Sequence, residues 1–178
     1  MAKLVLVTGG SRSGKSSHAQ RLAEEMDGPR AFLATCPVVD DEIAERIRKH
    51  QDARSEANWD TIEETTDLAE ALRKACEYKV VLIDCLTLWI NNLMYDSECS
   101  GEVITEDDVV RKCEKVLDAC SGLSGTVIFV TNEVGMGIVP GDPLSRRYRD
   151  LVGRCNQVIA SAADSVTLVT CGIPMDLK

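Results

Sequence analysis

The chain has 178 residues, 44% of them hydrophobic, which is enough for a core that removes about 70% of the unfolded surface from water. Its net charge of −9 argues against a nucleic-acid backbone as the main partner, because a polyanion selects clustered basic surface, so any anion site must be local. No apolar run approaches a membrane span, and Met1-Ala2-Lys3 leads straight into an apolar strand; the expectation is a cytoplasmic protein with no signal peptide, acting as one catalytic domain over residues 1–178. The 8 cysteines (36, 76, 85, 99, 113, 120, 155 and 171) form no C-x-x-C pair, which predicts buried reduced thiols rather than a zinc site or a disulfide framework.

In chain order, Leu4-Val5-Leu6-Val7 reads as a buried strand and Ser17 to Met26 as a helix. Arg30 to Thr35 is a second strand, and Asp40 to Arg54 a helix with Asp40 as N-cap and Asp41 and Glu42 in its first turn. Asn58 to Glu63 is short and extended, and Asp67 to Glu77 helical. Lys79 to Asp84 is a buried strand ending in a carboxylate, and Leu86 to Tyr95 an apolar helix. Residues 96–104 read as a loose acidic loop. A helix from Glu106 to Ser121, a strand Thr126 to Thr131, a Gly-rich loop, a helix Leu144 to Ala163 and a strand Val166 to Thr170 complete the pattern. Strands alternating with helices predict an α/β fold with a mostly parallel sheet, and right-handed crossovers put the active face at the strands' C-terminal ends.

Between the first strand and its helix stands Gly9-Gly10-Ser11-Arg12-Ser13-Gly14-Lys15-Ser16, the pattern G-x-x-x-x-G-K-[ST]. Gly9 and Gly14 supply backbone freedom that lets successive N–H groups converge on a phosphate, and the helix N-terminus adds partial positive charge. Lys15 then reaches the β- and γ-phosphates, and Ser16 supplies a hydroxyl for Mg²⁺. The fold expected is therefore the three-layer, RecA-like arrangement of a P-loop NTPase. Thr35-Cys36, Asp84 and Asn132-Glu133 also follow strands directly, so they are expected around the same nucleotide. Asp84 is the residue expected opposite Ser16 for the metal, with a helix-capping role as its competitor.

His50 is one of 2 histidines and shares a helical face with Ile43 and Ile47; by position alone a core-edge role competes with chemistry. His18 flanks the packing stripe of the P-loop helix. Trp59 and Trp89 read as packing, and Arg146, Arg147 and Arg149 as either a phosphate contact or a solvated face.

The segment Thr131-Asn132-Glu133-Val134-Gly135-Met136-Gly137-Ile138-Val139-Pro140 narrows the field. With the P-loop, Asp41-Glu42-Ile43 followed by Arg46-Ile47 and His50, Trp59-x-Thr61-x-Glu63, Asp84-Cys85-Leu86-Thr87-Leu88-Trp89 and Gly153-Arg154-x-Asn156-Gln157, it resembles the bifunctional adenosylcobinamide kinase/adenosylcobinamide-phosphate guanylyltransferases of cobalamin biosynthesis. The motifs run in order over nearly the whole chain. The resemblance implies that ATP or GTP phosphorylates the aminopropanol hydroxyl of adenosylcobinamide and that GTP then gives GMP to the new phosphate through a GMP-histidine, releasing pyrophosphate. It places that histidine at His50, and the nucleotide contacts at Gly9 to Ser16, Ala34-Thr35-Cys36, Gln51-Asp52-Ala53-Arg54, Glu63 and Asp84. It also suggests a homo-oligomer, a trimer. Two rivals remain at this point: a P-loop small-molecule kinase without a covalent intermediate, and a nucleotide-dependent switch or DNA-binding ATPase, which the acidic balance and 4% aromatic content disfavour.

Overall fold

A computed structural model describes residues 1–37 and 59–178. The predicted helix from Asp40 to Arg54, with His50, Gln51, Asp52, Ala53 and Arg54, lies outside the described residues.

The chain order is β1 (Lys3–Gly9), α1 (Lys15–Glu24), β2 (Arg30–Ala34), β3 (Trp59–Glu63), α2 (Leu68–Lys74), β4 (Val80–Asp84), α3 (Leu86–Cys99), α4 (Glu106–Ser121), β5 (Thr126–Val130), α5 (Pro143–Ala162), β6 (Ser165–Thr170) and β7 (Ile173–Asp176). These strands form one sheet in the order β3-β2-β4-β5-β1-β6-β7, parallel except for the antiparallel pair of β6 and β7. This is the mostly parallel α/β architecture expected, with β5 inserted between the P-loop strand β1 and the carboxylate strand β4.

Strand alternation divides the core in two. Leu6, Val81, Ile83, Val127 and Phe129 face one way, onto a layer holding α2, α4 and α5. Val5, Val7, Val80, Leu82, Ile128 and Val130 face the other way, onto Ala19 and Ala23 of α1. Both faces of the central strands are covered, which is why β4 and β5 read as unbroken apolar runs. Each large side chain so enclosed contributes about 1.5–3 kcal/mol relative to exposure.

Local signals set the helix ends. Thr105 and Asp108 form a reciprocal capping box at the start of α4, and Asp142 accepts from the Ser145 N–H at 2.8 Å to begin α5, with Pro143 in its first turn. That bond and the Ser145 neighbourhood hold the Asp142 carboxyl below its ordinary range.

Two expectations need correction. Residues 96–104 are not all loop, because α3 runs on to Cys99: a helix already nucleated by Leu86 to Met94 extends through short polar residues at little cost. Its end is closed by the Ser100 hydroxyl, which donates to the Asp96 carbonyl at 2.9 Å. The antiparallel edge strand β7 has no counterpart in the sequence reading. It is short and contains Pro174, and a proline is tolerated in a sheet only at such an edge.

The cysteines also divide. Cys85, Cys113, Cys120 and Cys155 are buried, Cys36 is half-buried, and Cys76, Cys99 and Cys171 are exposed; all are free thiols. Trp89 is enclosed with its indole N–H donating to the Thr66 carbonyl at 2.8 Å, and Trp59 packs edge-on against Phe32, so both act in packing.

Candidate active site

The P-loop turns where the sequence requires. A side chain at Gly9 would put its Cβ 2.4 Å from the Val169 carbonyl oxygen, so the first glycine is fixed by close approach of β6. Gly14, the residue preceding α1, has φ of +93°, a left-handed conformation suited to glycine. No side chain caps α1, which leaves its first N–H groups directed at the space a phosphate would fill. The Lys15 ammonium bends back over this loop and donates to the Gly10 carbonyl at 3.3 Å. From behind, the Gly172 N–H donates to the Ser13 carbonyl at 2.8 Å, so the turn before β7 supports the cradle.

The register places the other strand ends beside it. Glu63, Ala34, Asp84 and Val130 are paired in a row across β3, β2, β4 and β5. At ~4.8 Å per strand, Asp84 is roughly 10 Å from the P-loop strand, with β5 between them, whereas Glu63 sits roughly 19 Å away at the sheet's edge. Asp84 does not cap α3: the N-cap is Cys85, in extended conformation and with no side-chain cap bond. The peptide between Asp84 and Cys85 is cis.

Thr35 fastens this turn. Its hydroxyl accepts from the Cys85 N–H at 2.7 Å and donates to the Cys85 carbonyl at 2.8 Å; its own N–H donates to the Asp84 carbonyl at 3.3 Å. Asn92 of α3 donates to the carbonyls of Thr35 at 2.8 Å and Thr65 at 3.0 Å, joining the ends of β2 and β3 to the same helix. The Cys85 thiol is pushed up, first by burial and next by the charge of Asp84; the Thr87 hydroxyl, the Leu88 N–H and the Lys15 ammonium oppose this. Lys15 and Asp84 are thus both felt at Cys85, and the thiol stays protonated rather than nucleophilic at neutral pH.

At the end of β5 a second asparagine does comparable work. Asn156 of α5 accepts from the Thr131 hydroxyl at 2.7 Å and donates to the Asn132 carbonyl at 3.1 Å. The Glu133 N–H then donates to the Gly9 carbonyl at 3.0 Å, tying the Gly-rich loop to the first residue of the phosphate loop. Arg146 donates to the carbonyls of Pro140 and Gly141, which accounts for it as a loop clamp.

The sequence reading expects Gly9 to Ser16, Ala34 to Cys36, Asp84 and Glu63 around one nucleotide, and the register puts Ala34, Asp84 and Glu63 in one row at the strand ends. It did not identify the clamping roles of Thr35, Asn92 and Asn156; a buried polar residue inside an apolar helix, as Asn92 is, was the available signal. Ser16 and Asp84 offer hard oxygen donors of the kind that suits Mg²⁺, which commonly takes one or two protein oxygens beside substrate phosphates. Among the described residues no group of three or more His, Cys, Asp or Glu side chains could hold a metal. A cavity of about 690 Å³ between α2, α3 and α4 has no P-loop residue in its wall.

The model of the cobinamide kinase/cobinamide phosphate guanyltransferase family matches residues 5–177. The chain belongs to that family. It is 38% identical over 183 residues to the bifunctional adenosylcobalamin biosynthesis protein CobU of Escherichia coli K12, covering 98% of this chain and 99% of that one. It is 42% identical over 177 residues to CobP of Pseudomonas aeruginosa, bearing the same description, with 97% and 96% covered. CobU of Salmonella typhimurium is 39% identical over 190 residues, with 98% and 99% covered. Among solved structures, an ATPase from the type III secretion system of pathogenic bacteria superposes with a TM-score of 0.59 at 16% identity, covering 94% of this chain and 51% of its own. That likeness speaks to the P-loop ATPase fold alone. As a member of the cobinamide kinase/guanyltransferase family, the chain is a transferase. Among the described residues no helix is long and apolar enough to cross a membrane.

Proposed function

We propose that this protein phosphorylates adenosylcobinamide with ATP or GTP, then carries GMP from GTP on His50 to the new phosphate, giving adenosylcobinamide-GDP and pyrophosphate. The observation that supports this most is the P-loop and Asp84 on one sheet edge, in a chain of the cobinamide kinase/guanyltransferase family.

The same cradle serves both reactions. In phosphoryl transfer, Lys15 and the amides of residues 9–16 stabilise charge on the β- and γ-phosphates; in guanylyl transfer they hold the departing pyrophosphate. Ser16 and Asp84 would hold Mg²⁺, which supplies charge neutralisation between phosphates. A neutral imidazole, with an unperturbed pKa of about 6.5, is a competent nucleophile toward the α-phosphorus and a good leaving group afterwards. Arg54 follows His50 by four residues and is assigned to offset charge on the group in flight. Gln51, Asp52, Ala53, Ala34, Thr35, Cys36 and Glu63 complete the nucleotide contacts. For Thr35 the contribution is positional, since its N–H, carbonyl and hydroxyl all bond to protein.

One nucleotide pose cannot offer its α-phosphorus to His50 and its γ-phosphorus to an alcohol in line. The reading therefore includes two nucleotide placements or a movement of the His50 segment. It also takes residues 1–178 to be one catalytic domain, acting in the cytoplasm as a homotrimer.

The test is incubation of the purified protein with α-labelled GTP and adenosylcobinamide. Acid-labile, alkali-stable label on the protein, chased into adenosylcobinamide-GDP, is the expected result. Phosphorylated adenosylcobinamide with no labelled protein would instead leave a kinase without a covalent intermediate.

A further inference from the structure

Phosphorylating an alcohol requires removing its proton, and neither Lys15 nor the loop amides can accept one. The guanylyl step has no such need, because its acceptor is an already ionised phosphate. A proton acceptor used in the first half-reaction alone, a role a carboxylate can fill, is therefore a separate need of the proposed function, on which the following rests.

Four carboxylates stand at or just beyond the described strand ends of this edge; one of them, Glu64 after β3, is engaged by the N–H groups of Thr66 and Asp67. Glu63 is at the outer strand, four strands from the P-loop strand, or roughly 19 Å at ~4.8 Å per strand. Asp84, two strands away, is assigned to the metal. Glu133 lies just beyond β5, the strand adjacent to β1, with its N–H bonded to the Gly9 carbonyl at 3.0 Å. Its position is held from both sides: Asn156 fixes Asn132 before it, and the Glu133 Oε1 accepts from the Gly135 N–H at 2.7 Å after it. The other carboxylate oxygen accepts no hydrogen bond among the described residues.

Gly135, whose N–H binds Glu133, begins the wall of a cavity of about 460 Å³ that is completed by Gly137 and Val139 of the loop, by Arg149, Asp150, Arg154 and Gln157 of α5, and by Glu106 of α4. Backbone amides, two guanidiniums and a carboxamide donate to carboxamide oxygens, and the Glu106 and Asp150 carboxylates accept from carboxamide NH2 groups, so the wall pairs with a substrate fringed by carboxamides. Six of the lining residues come from the two sequence motifs, Thr131 to Pro140 and Gly153 to Gln157, that the phosphate chemistry leaves without a role; Glu106, Arg149 and Asp150 lie outside them.

We propose that Glu133 is the catalytic base of the kinase half-reaction, with the adjoining cavity seating the amide-bearing acceptor. The acceptor oxygen forms its bond to the γ-phosphorus as the bond from that phosphorus to the bridging oxygen breaks. The nucleoside diphosphate leaves with the electron pair, and the hydroxyl proton passes to the Glu133 carboxylate and then to solvent. A base of this kind contributes on the order of 10²–10⁴ in rate.

Glu133→Gln is the decisive variant, because its amide oxygen can still accept from the Gly135 N–H and hold the loop. Two reactions are measured: single-turnover phosphorylation of adenosylcobinamide with ATP, and guanylylation of preformed adenosylcobinamide phosphate with GTP. Expected is a loss on the order of 10²–10⁴ in the first, with the acid limb of its pH profile removed, and a second reaction close to wild type. Phosphorylation by Glu133→Gln at nearly the wild-type rate overturns the assignment. So does an equal loss in both reactions, which marks Glu133 as structural. A wild-type protein that phosphorylates no adenosylcobinamide overturns the parent function itself, and Glu133's role with it; that outcome is read from the wild-type arm alone.

Discussion

The hydroxyl of Thr35 makes two hydrogen bonds to one residue, accepting from the Cys85 N–H at 2.7 Å and donating to the Cys85 carbonyl at 2.8 Å. The ends of β2 and β4 are thereby locked together immediately after Asp84. Removing the hydroxyl leaves the enclosed Cys85 N–H without this partner, whereas the Cys85 carbonyl keeps the bond it accepts from the Trp89 N–H at 3.2 Å.

Thr35→Val should accordingly cost about 1–3 kcal/mol for the orphaned Cys85 N–H, while Thr35→Ser, which keeps the hydroxyl, should stay near wild type. Urea unfolding of the three proteins measures this. The valine variant should also need more Mg²⁺ for half-maximal turnover, since the turn that carries Asp84 is no longer fixed. Equal stability of valine and wild-type proteins would show that the clamp contributes nothing.

Lys15 and Asp84 should fail differently. Lys15→Ala is expected to abolish phosphorylation and guanylylation together, because loss of one such charge stabiliser costs on the order of 10²–10³ in rate and the two reactions share the cradle. Asp84→Asn should weaken Mg²⁺-dependent turnover more than metal-free nucleotide binding, as the carboxylate acts through the cation. Nucleotide affinity with and without Mg²⁺ separates these. An equal loss in both conditions for Asp84→Asn would assign it to the nucleotide or the fold.

The strands and the P-loop were legible in the sequence because their signals are local: unbroken apolar runs, and glycines at the two points where the loop needs them. The clamps were not. Thr35 meets Cys85 across 50 residues, and Asn156 meets Thr131 across 25, so no spacing rule connects them before the sheet order is known. Glu133 was visible as a strand-end residue, yet its nearness to Gly9 depends on β5 lying beside β1, a topological fact. The end of α3 was misjudged for the opposite reason, since polar residues were weighed locally although the helix was already nucleated.

The loop after β3 carries its own pH dependence. Glu64 accepts from the N–H groups of Thr66 and Asp67, both at 2.8 Å; burial pushes its carboxyl up, but these backbone donors outweigh it and the net effect is below the ordinary 4.5. A carboxyl depressed in the folded state adds stability above its unfolded value and loses it as pH falls through the folded one. Wild type should therefore exceed Glu64→Gln in stability at neutral pH, with the gap closing as pH drops below 4.5. Unfolding midpoints across a pH series supply the test. A gap that persists unchanged in acid would mean that the carboxylate's charge is irrelevant to this turn, which presents the Thr65 and Thr66 carbonyls to Asn92 and Trp89.

His50→Ala should eliminate guanylyl transfer and protein-bound GMP yet leave adenosylcobinamide phosphorylation largely intact. Transfer of the γ-phosphoryl group needs positioned phosphates, Mg²⁺, an acceptor hydroxyl and a base, the last assigned above to Glu133, whereas moving GMP between two acceptors needs a group to carry it. The wild-type adduct should be lost in acid and survive alkali, as a phosphorus–nitrogen bond does, and His18→Ala should still form it, since His18 lies half-buried along α1. Both readouts are taken on the same preparations, labelled protein after α-labelled GTP and phosphorylated product after ATP, with circular dichroism to establish folding. An adduct retained by His50→Ala moves the covalent step to another residue. A folded His50→Ala protein that has lost phosphorylation as completely as guanylylation ends the proposed division of labour between the histidine and the phosphate loop.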